Sequence, residues 1–460
     1  MTDTHSDVLI LGGGSGGYAC AIRAAQLRLS VTLIEADKIG GTCLHRGCIP
    51  TKALLHVAET ADAARHGGSI GVRTTFDGID MDGVRTYRDS TVERLYKGLS
   101  GLIAHHKITT VTGYGTYVGD RAVDVDGRRY TGDALVLATG SNARLVPGIG
   151  VGERILTSDQ ALQLDFVPRT AIVLGGGVIG VEFASMWASL GADVTVVEAL
   201  PRLIAAEDPW CSKQLERAFR KRGITTRTGV KVVSAKETDS AVTVELDSGD
   251  IIEAEVLLIA VGRGPNTAAS GFAEHGIAMD GPWVATDDRL RTSIERVYAV
   301  GDIVTGPQLA HRGFQHGIFV AEDIAGRAPV PVDDQLIPKV TYSHPEVASV
   351  GLTEADAREK FGEVTTLTYD LAGNGKSQIL ATAGGVKVIR AGSSDSTGPL
   401  VGVQMVGDRV GELIGEAQIA VAWEALPSDI APFVHAHPTQ NEAFGEAMMA
   451  LAGVPLHAHT

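Results

Sequence analysis

The run Asp7-Val8-Leu9-Ile10-Leu11-Gly12-Gly13-Gly14-Ser15-Gly16-Gly17 decides the architecture of this chain. Consecutive aliphatic residues ending in glycines read as a short buried strand. The glycines stand at Gly12-x-Gly14-x-x-Gly17, Tyr18 to Leu29 reads as the helix they open, and Val31-Thr32-Leu33-Ile34-Glu35 reads as a second strand. In such a unit Gly12 makes the tight turn, Gly14 lets the backbone approach a pyrophosphate, and Gly17 lets helix and strand pack closely. The helix N-terminus offers free N–H groups and the positive end of its dipole to the anion. Glu35 ends the second strand 23 residues after Gly12 (35 − 12), placed to accept hydrogen bonds from ribose hydroxyls.

The same unit starts again 163 residues later (175 − 12). Ala171-Ile172-Val173-Leu174 reads as a strand, Gly175-Gly176-Gly177-Val178-Ile179-Gly180 carries Gly175, Gly177 and Gly180 at the same spacing, and Val178 to Leu190 reads as a helix. Glu198 again follows by 23 residues (198 − 175). A carboxylate there accepts from a ribose and repels a 2′-phosphate, which favours NAD over NADP. Arg202 close behind it tempers that preference.

Between the two glycine motifs lies Gly40-Gly41-Thr42-Cys43-Leu44-His45-Arg46-Gly47-Cys48-Ile49-Pro50-Thr51-Lys52. A zinc site would need two further Cys or His ligands at suitable spacing, and none is adjacent. Four cysteines in 460 residues are too few for a disulfide scaffold. Cys20 and Cys211 read as packing residues. A close pair beside two dinucleotide units is suited to moving two electrons between a disulfide and a soluble carrier. A regular helix holds residues five apart too far for their sulfurs to bond, so the pair must sit where a helix starts irregularly. A helix N-terminus also lowers a thiol's pKa. Lys52, four residues past Cys48, falls near the same helix face, and Glu182, just past the second glycine motif, is a candidate partner. An isolated lysine would read as surface, but a cation on the helix face that follows a thiol pair favours a functional reading.

The net charge is −15 and the pI about 5.4. An acidic surface repels phosphate backbones, which argues against nucleic acid. No basic run points to an anionic membrane, and no apolar window reaches a spanning length. Met1-Thr2-Asp3-Thr4-His5-Ser6-Asp7 has neither a basic flank nor an apolar stretch, so a cytoplasmic location is expected. No metal site is expected. Pro147-Gly148 marks a first boundary, Ile259 to Asn266 closes the second unit, and Ala328-Pro329-Val330-Pro331 reads as a linker. In the last ~120 residues stands His435-Ala436-His437-Pro438-Thr439-Gln440-Asn441-Glu442, where a histidine five residues from a glutamate can act as a base held by a carboxylate. Taken alone, such a cluster is more often surface than catalytic.

Together these residues resemble the flavin-dependent pyridine nucleotide–disulfide oxidoreductases, across essentially the whole chain. Gly-Gly-Thr-Cys with Cys-Ile-Pro-Thr-Lys matches the family's redox-active segment, and Ala138-Thr139-Gly140 and Thr292 to Asp302 match its second and third flavin-binding segments. Within the family the similarity is to the branch that oxidises dihydrolipoamide, on Cys-Ile-Pro-Thr-Lys, His-Ala-His-Pro-Thr and Glu198. The chain ends Leu456-His457-Ala458-His459-Thr460, without the further cysteine pair of mercuric reductases. Three features depart from the family's usual pattern: His45-Arg46 for Asn-Val, Gln440-Asn441 for Leu-Ser, and Ser15 for Pro. The first bears on substrate access or cysteine reactivity.

The resemblance implies an α/β protein with two Rossmann-like domains, for FAD and NAD, plus a C-terminal α+β dimerisation domain. The expected division is 1–148 for FAD, 149–268 for NAD, 269–336 as a central segment completing the FAD domain, and 337–460 as the interface domain. It implies Cys43, Cys48, His437, Glu442, Lys52 and Glu182 as catalytic residues. For FAD it implies Gly12, Gly14, Gly17, Glu35, Thr42, Lys52, Thr139, Gly140, Gly301 and Asp302, with Asp302 holding the ribityl chain. For NAD it implies Gly175, Gly177, Gly180, Glu198 and Gly262. The implied partners are a second copy of the chain, with His437 and Glu442 of one subunit facing the cysteines of the other, and the dihydrolipoyl domains of a 2-oxoacid dehydrogenase or glycine-cleavage complex. The alternatives are a reductase of another small disulfide, such as mycothiol disulfide, or a quinone reductase.

Overall fold

The computed structural model describes residues 4–393 and 397–458. The first three residues of the N-terminal stretch and the final His459-Thr460 quoted above therefore lie outside the described residues. The chain is a mixed α/β protein built on three main sheets.

The first sheet grows from β1 (Thr4–Leu11), followed by α1 (Ser15–Gln26) and β2 (Val31–Glu35). Helices α2 (Gly41–Arg46), α3 (Cys48–His66) and α4 (Met81–His105) lead to β3 (Thr109–Thr112), β4 (Gly115–Tyr117), β5 (Ala122–Val125) and β6 (Arg128–Leu137). The strand order is β3-β2-β1-β6-β5-β4. Strands β1, β2, β3 and β6 run parallel, and the apolar runs of β1, β2 and β6 are buried on both faces, while β3 forms the exposed edge.

A connecting strand β7 (Ser141–Ala143) precedes the second sheet, made from β8 (Ile155–Thr157), β9 (Thr170–Leu174), β10 (Asp193–Glu198), β11 (Thr225–Thr228) and β15 (Val256–Ile259). Its order is β11-β10-β9-β15-β8, again all parallel. Between these strands run α5 (Ser158–Ala161), α6 (Val178–Leu190), α7 (Pro209–Lys221) and an antiparallel trio, β12 (Val232–Glu237), β13 (Val242–Leu246) and β14 (Ile251–Ala254). After β15, β16 (Arg263–Pro265) pairs back onto β7. A hairpin, β17 (Met279–Asp280) with β18 (Trp283–Val284), comes next. Then β19 (Val297–Ala299) joins β6 in parallel, and α8 (Ala310–Ile324) packs against α1. The chain thus returns to the first sheet, and Val297, Phe319 and Val320 share one core with Val8, Leu33 and Leu135.

The third sheet is antiparallel: β20 (Lys339–Thr341), β21 (Glu346–Gly351), β22 (Val364–Asp370), β23 (Gly385–Ala391) and β24 (Leu400–Gly407), in the order β20-β21-β24-β23-β22. Helices α9 (Glu354–Phe361), α10 (Gly375–Ile379), α11 (Val410–Ala422), α12 (Pro427–Ile430) and α13 (Glu442–Leu451) accompany it. Helix α3 ties the first two sheets together: Leu54 and Ala58 pack in the core of the second unit with Phe183, Met186 and Trp187 of α6. Among the described residues no helix is long and apolar enough to cross a membrane.

Candidate active site

The two glycine turns have the same construction. Gly12 has φ +105° and Gly175 +111°, backbone that L side chains rarely adopt. A Cβ on Gly17 would overlap the Gly12 carbonyl, and one on Gly180 the Gly175 carbonyl, so the third glycine of each motif is set by helix–strand packing. Gly14 and Gly177 face open space, as a backbone that receives a pyrophosphate must. Each strand-end carboxylate is pinned by its own turn. Glu35 Oε2 accepts from Gly13 N–H at 2.6 Å and Oε1 from Asp37 N–H at 2.9 Å. Glu198 Oε2 accepts from Gly176 N–H at 2.5 Å and Oε1 from Leu200 N–H at 2.7 Å. A carboxylate accepts about four hydrogen bonds, which leaves capacity for ribose hydroxyls.

The cysteine segment is moored to the first turn. Gly40 N–H donates to Gly13 O at 2.8 Å, and a Cβ on Gly41 would come within 2.7 Å of Gly14 Cα. Helix α2 stops at Gly47, whose φ −145° and ψ −108° interrupt the helix, and α3 begins at Cys48. This break lets two cysteines five positions apart turn toward one another. Both are half-buried free thiols. The Cys43 thiol donates to Cys48, so Cys43 holds its proton far above the ordinary thiol range, with burial adding to the effect. The same hydrogen bond favours the Cys48 thiolate and, against its burial, brings Cys48 down to about 7, with Lys52 helping. Cys48 is also the first residue of α3, where unpaired N–H groups favour negative charge.

Lys52 Nζ sits 2.9 and 2.8 Å from the two carboxylate oxygens of Glu182 on α6. Burial disfavours the Lys52 charge, but the Glu182 carboxylate outweighs it and holds the ammonium above its ordinary range. Glu182 is buried, and its Oε1 also accepts from Tyr342 N–H at 2.9 Å. The Tyr342 ring lies beneath the ammonium, 4.6 Å from centroid to Nζ.

A cavity of about 460 Å³ collects these groups, within the usual size of ligand sites. Gly14, Thr42, Cys43, Cys48, Lys52, Gly140, Glu182, Gly301 and Asp302 line it among the expected residues. Val178 and Ile179 line it as well, so the second glycine turn adjoins the same space. Gly12, Gly17 and Glu35 stand behind the first turn; Thr139, Gly175, Gly177, Gly180, Glu198 and Gly262 also lie off its wall. Thr139 Oγ1 donates to Asn266 O at 2.7 Å, fastening the second flavin-type segment to the end of the second unit. A larger, shallow cleft of about 640 Å³ between Pro307 and Lys360 contains none of the expected residues.

His437 and Glu442 form their pair elsewhere. His437 Nδ1 is 2.8 Å from Glu442 Oε1, and Thr439 N–H donates to Glu442 Oε2 at 2.7 Å. Burial raises the Glu442 pKa, but the Thr439 amide and His437 pull it below the ordinary carboxylate range. The His437 side chain is 78% exposed, and the cavity of its own chain does not include it.

Three contributors, Tyr342, Ser141 and His316, escape sequence reasoning. Tyr342 is a lone aromatic beside a strand far from any motif. Ser141 Oγ donates to Asp302 Oδ2 at 2.5 Å and accepts from Arg263 Nε at 2.7 Å. His316 Nδ1 accepts from Gly301 N–H at 3.3 Å, and burial, with Arg312 nearby, pushes its pKa down to about 3, so the ring is neutral. Only for Ser141 is there a sequence signal, its position next to Thr139-Gly140.

Two dinucleotide turns, a thiol pair between them and a base–carboxylate pair at the start of α13 are the parts of a flavin and pyridine-nucleotide disulfide oxidoreductase. The family profile for pyridine nucleotide-disulphide oxidoreductase matches residues 6–317, and that family's dimerisation domain matches residues 337–448. The chain belongs to this family, whose cofactors are FAD and NAD, and the matched dimerisation domain supports a homodimer. It is 38% identical to dihydrolipoyl dehydrogenase of Bacillus subtilis, over 99% of this chain and 99% of that protein. It is also 38% identical to dihydrolipoyl dehydrogenase of Mycobacterium bovis, over 98% and 99%. Among solved structures, LpdA from Mycobacterium tuberculosis superimposes with a TM-score of 0.89 at 26% identity, over 97% of this chain and 99% of that one.

The donor set fits these cofactors. The open Gly14, the pinned Glu35 carboxylate and Asp302 with its Ser141 support are groups that suit one dinucleotide, and Gly177 with Glu198 repeat the turn in a form that suits a second.

Proposed function

We propose that this chain oxidises dihydrolipoamide to lipoamide and passes the electrons to NAD⁺. The observation that carries this reading is the thiol pair, Cys43 and Cys48, set in one cavity with the first glycine turn, Asp302 and the Lys52–Glu182 ion pair. The relatives named dihydrolipoyl dehydrogenase, similar from end to end, support it.

In the oxidised state Cys43 and Cys48 form the disulfide. His437 of the partner subunit, oriented by that subunit's Glu442, takes a proton from one substrate thiol. The resulting thiolate attacks Cys43 Sγ, the Cys43–Cys48 bond breaks, and Cys48 leaves as thiolate. The second substrate thiol loses its proton and attacks the substrate sulfur of the mixed disulfide. That closes the lipoamide ring and expels Cys43, which takes up a proton. Lys52, held by Glu182, keeps positive charge beside the Cys48 thiolate. The chemistry supplied by bound FAD is two-electron transfer from this dithiol to NAD⁺. Thr42, Gly140, Gly301 and Asp302 would hold the flavin nucleotide, with Gly12, Gly14, Gly17, Glu35 and Thr139 forming the turn and its supports. Gly175, Gly177, Gly180, Glu198 and Gly262 would hold NAD. This assignment carries with it the division into 1–148, 149–268, 269–336 and 337–460. The partners proposed are lipoyl domains of a 2-oxoacid dehydrogenase or glycine-cleavage complex, and the compartment proposed is the cytoplasm.

The test is Cys43→Ser and Cys48→Ser. Each should abolish lipoamide turnover and leave a yellow, flavin-bound protein. Full activity in either variant removes the disulfide from the mechanism.

A further inference from the structure

The basic side chains of the cavity are not equally engaged. Lys52 is held by Glu182, and Arg263 by Ser141. His311 Nε2 is 2.7 Å from Pro338 O. Arg46 lines the same cavity, yet among the described residues its guanidinium makes no hydrogen bond. Its one ion pair is with Asp37 at 3.9 Å, both side chains being about half exposed. A guanidinium has five N–H donors in a fixed fork that suits a phosphate, and those of Arg46 are uncommitted. Its neighbour behaves differently. His45 is turned away, with Nε2 2.9 Å from Ile39 O and its ring edge-on to Tyr96 at 5.1 Å. Of the two unusual residues between the cysteines, Arg46 is therefore the one that faces the ligand space.

Where it faces decides what it would bind. Asp37 follows Glu35 by two residues, and its N–H donates to Glu35 Oε1. Gly40 is bonded to Gly13, and Gly41 is packed on Gly14. The loop that carries Asp37, and the α2 helix that carries Arg46, are thus sewn onto the first glycine turn. Gly14, Ser15 and Gly16 of that turn line the cavity together with Arg46.

We infer that Arg46 is an anion-binding residue that grips the pyrophosphate of FAD, adding a side-chain cation to the backbone N–H groups of the first glycine turn. Arg46 sits three residues past Cys43, so the same short helix positions a reacting thiol and one anchor of the cofactor. The inference rests on FAD occupying this cavity.

The experiment follows release of FAD from the loaded enzyme by the rise in free-flavin fluorescence. Arg46→Met keeps the length of the stem and removes the charge; it should release FAD about tenfold faster or more, with Arg46→Lys in between. Raising ionic strength should speed release from the unaltered enzyme and have little effect on Arg46→Met. Release from Arg46→Met at the wild-type rate, with unchanged salt dependence, overturns the inference. If the KM for lipoate then rises while that for neutral lipoamide does not, the guanidinium serves a substrate carboxylate instead. Salt-insensitive release from the unaltered enzyme overturns the inference without reference to how any variant folds. An unaltered enzyme that carries no flavin removes the functional reading along with it, whereas flavin held equally by both forms removes the Arg46 assignment alone.

Discussion

Lys52 Nζ lies 2.8 Å from Oε2 of Glu182, which stands 130 residues further along the chain. The bond joins the helix that begins at Cys48 to the helix that begins after the second glycine turn, and the Tyr342 N–H reaches the same carboxylate from the antiparallel sheet. Three parts of the chain therefore meet at one ion pair beside the thiols.

Lys52→Met should destabilise the protein by roughly 1–3 kcal/mol, because a buried carboxylate loses its counter-charge; the partial exposure of Lys52 keeps the loss below that of a fully enclosed pair. The Lys52 pKa is raised in the fold, so its stabilisation is complete below the unfolded lysine value and fades only as pH climbs through the higher folded one. The gap in denaturation midpoint between wild type and variant should stay constant from about pH 6 to about pH 9. A gap that closes within that window would exclude the ion pair as its origin.

The reduced enzyme should show one thiolate titrating near pH 7, assigned to Cys48, by its ultraviolet absorbance. That pKa is lowered, so thiolate is lost as pH falls through this value. Cys43→Ala removes the hydrogen-bond donor and should move the midpoint up by about one unit. An unmoved midpoint would mean that Lys52 and the helix N-terminus suffice without Cys43.

His437→Ala should reduce lipoamide turnover by at least ~10²-fold, the usual cost of a missing acid–base group. Glu442→Gln should cost less, since Thr439 and the backbone still position the loop while the charge that supports a protonated imidazole is gone. Dye reduction by NADH, which needs no substrate thiol, should survive both changes. Loss of dye reduction as well would indicate a folding defect rather than a missing base.

Gly180→Ala and Gly17→Ala should separate the two nucleotide sites. Each forces a methyl group into the carbonyl of its own turn. The first should leave flavin bound and raise the KM for NAD⁺ by an order of magnitude or more, and the second should yield protein poor in flavin. Equal flavin loss from both would mean that the turns do not act independently.

The two nucleotide units were legible because a tight turn, a phosphate approach and close helix–strand packing each leave a glycine at a fixed offset, and buried parallel strands leave unbroken aliphatic runs. The thiol pair was legible from a spacing that a regular helix cannot bridge; that the break falls at Gly47 is decided by the fold. Other relationships have no local signature. Ser141 on β7 supports Asp302 in a helical turn, and Tyr342 N–H just past β20 reaches Glu182 on α6, only because segments distant in sequence are packed together. Sequence alone determined which groups are present and the local turns that hold them. The tertiary structure decided which of them share a cavity: it sets Lys52 against Glu182, leaves Arg46 with only a long ion pair to Asp37 among the described residues, and keeps His437 out of its own chain's thiol site, because those outcomes depend on how separate parts of the chain pack and not on any spacing along it.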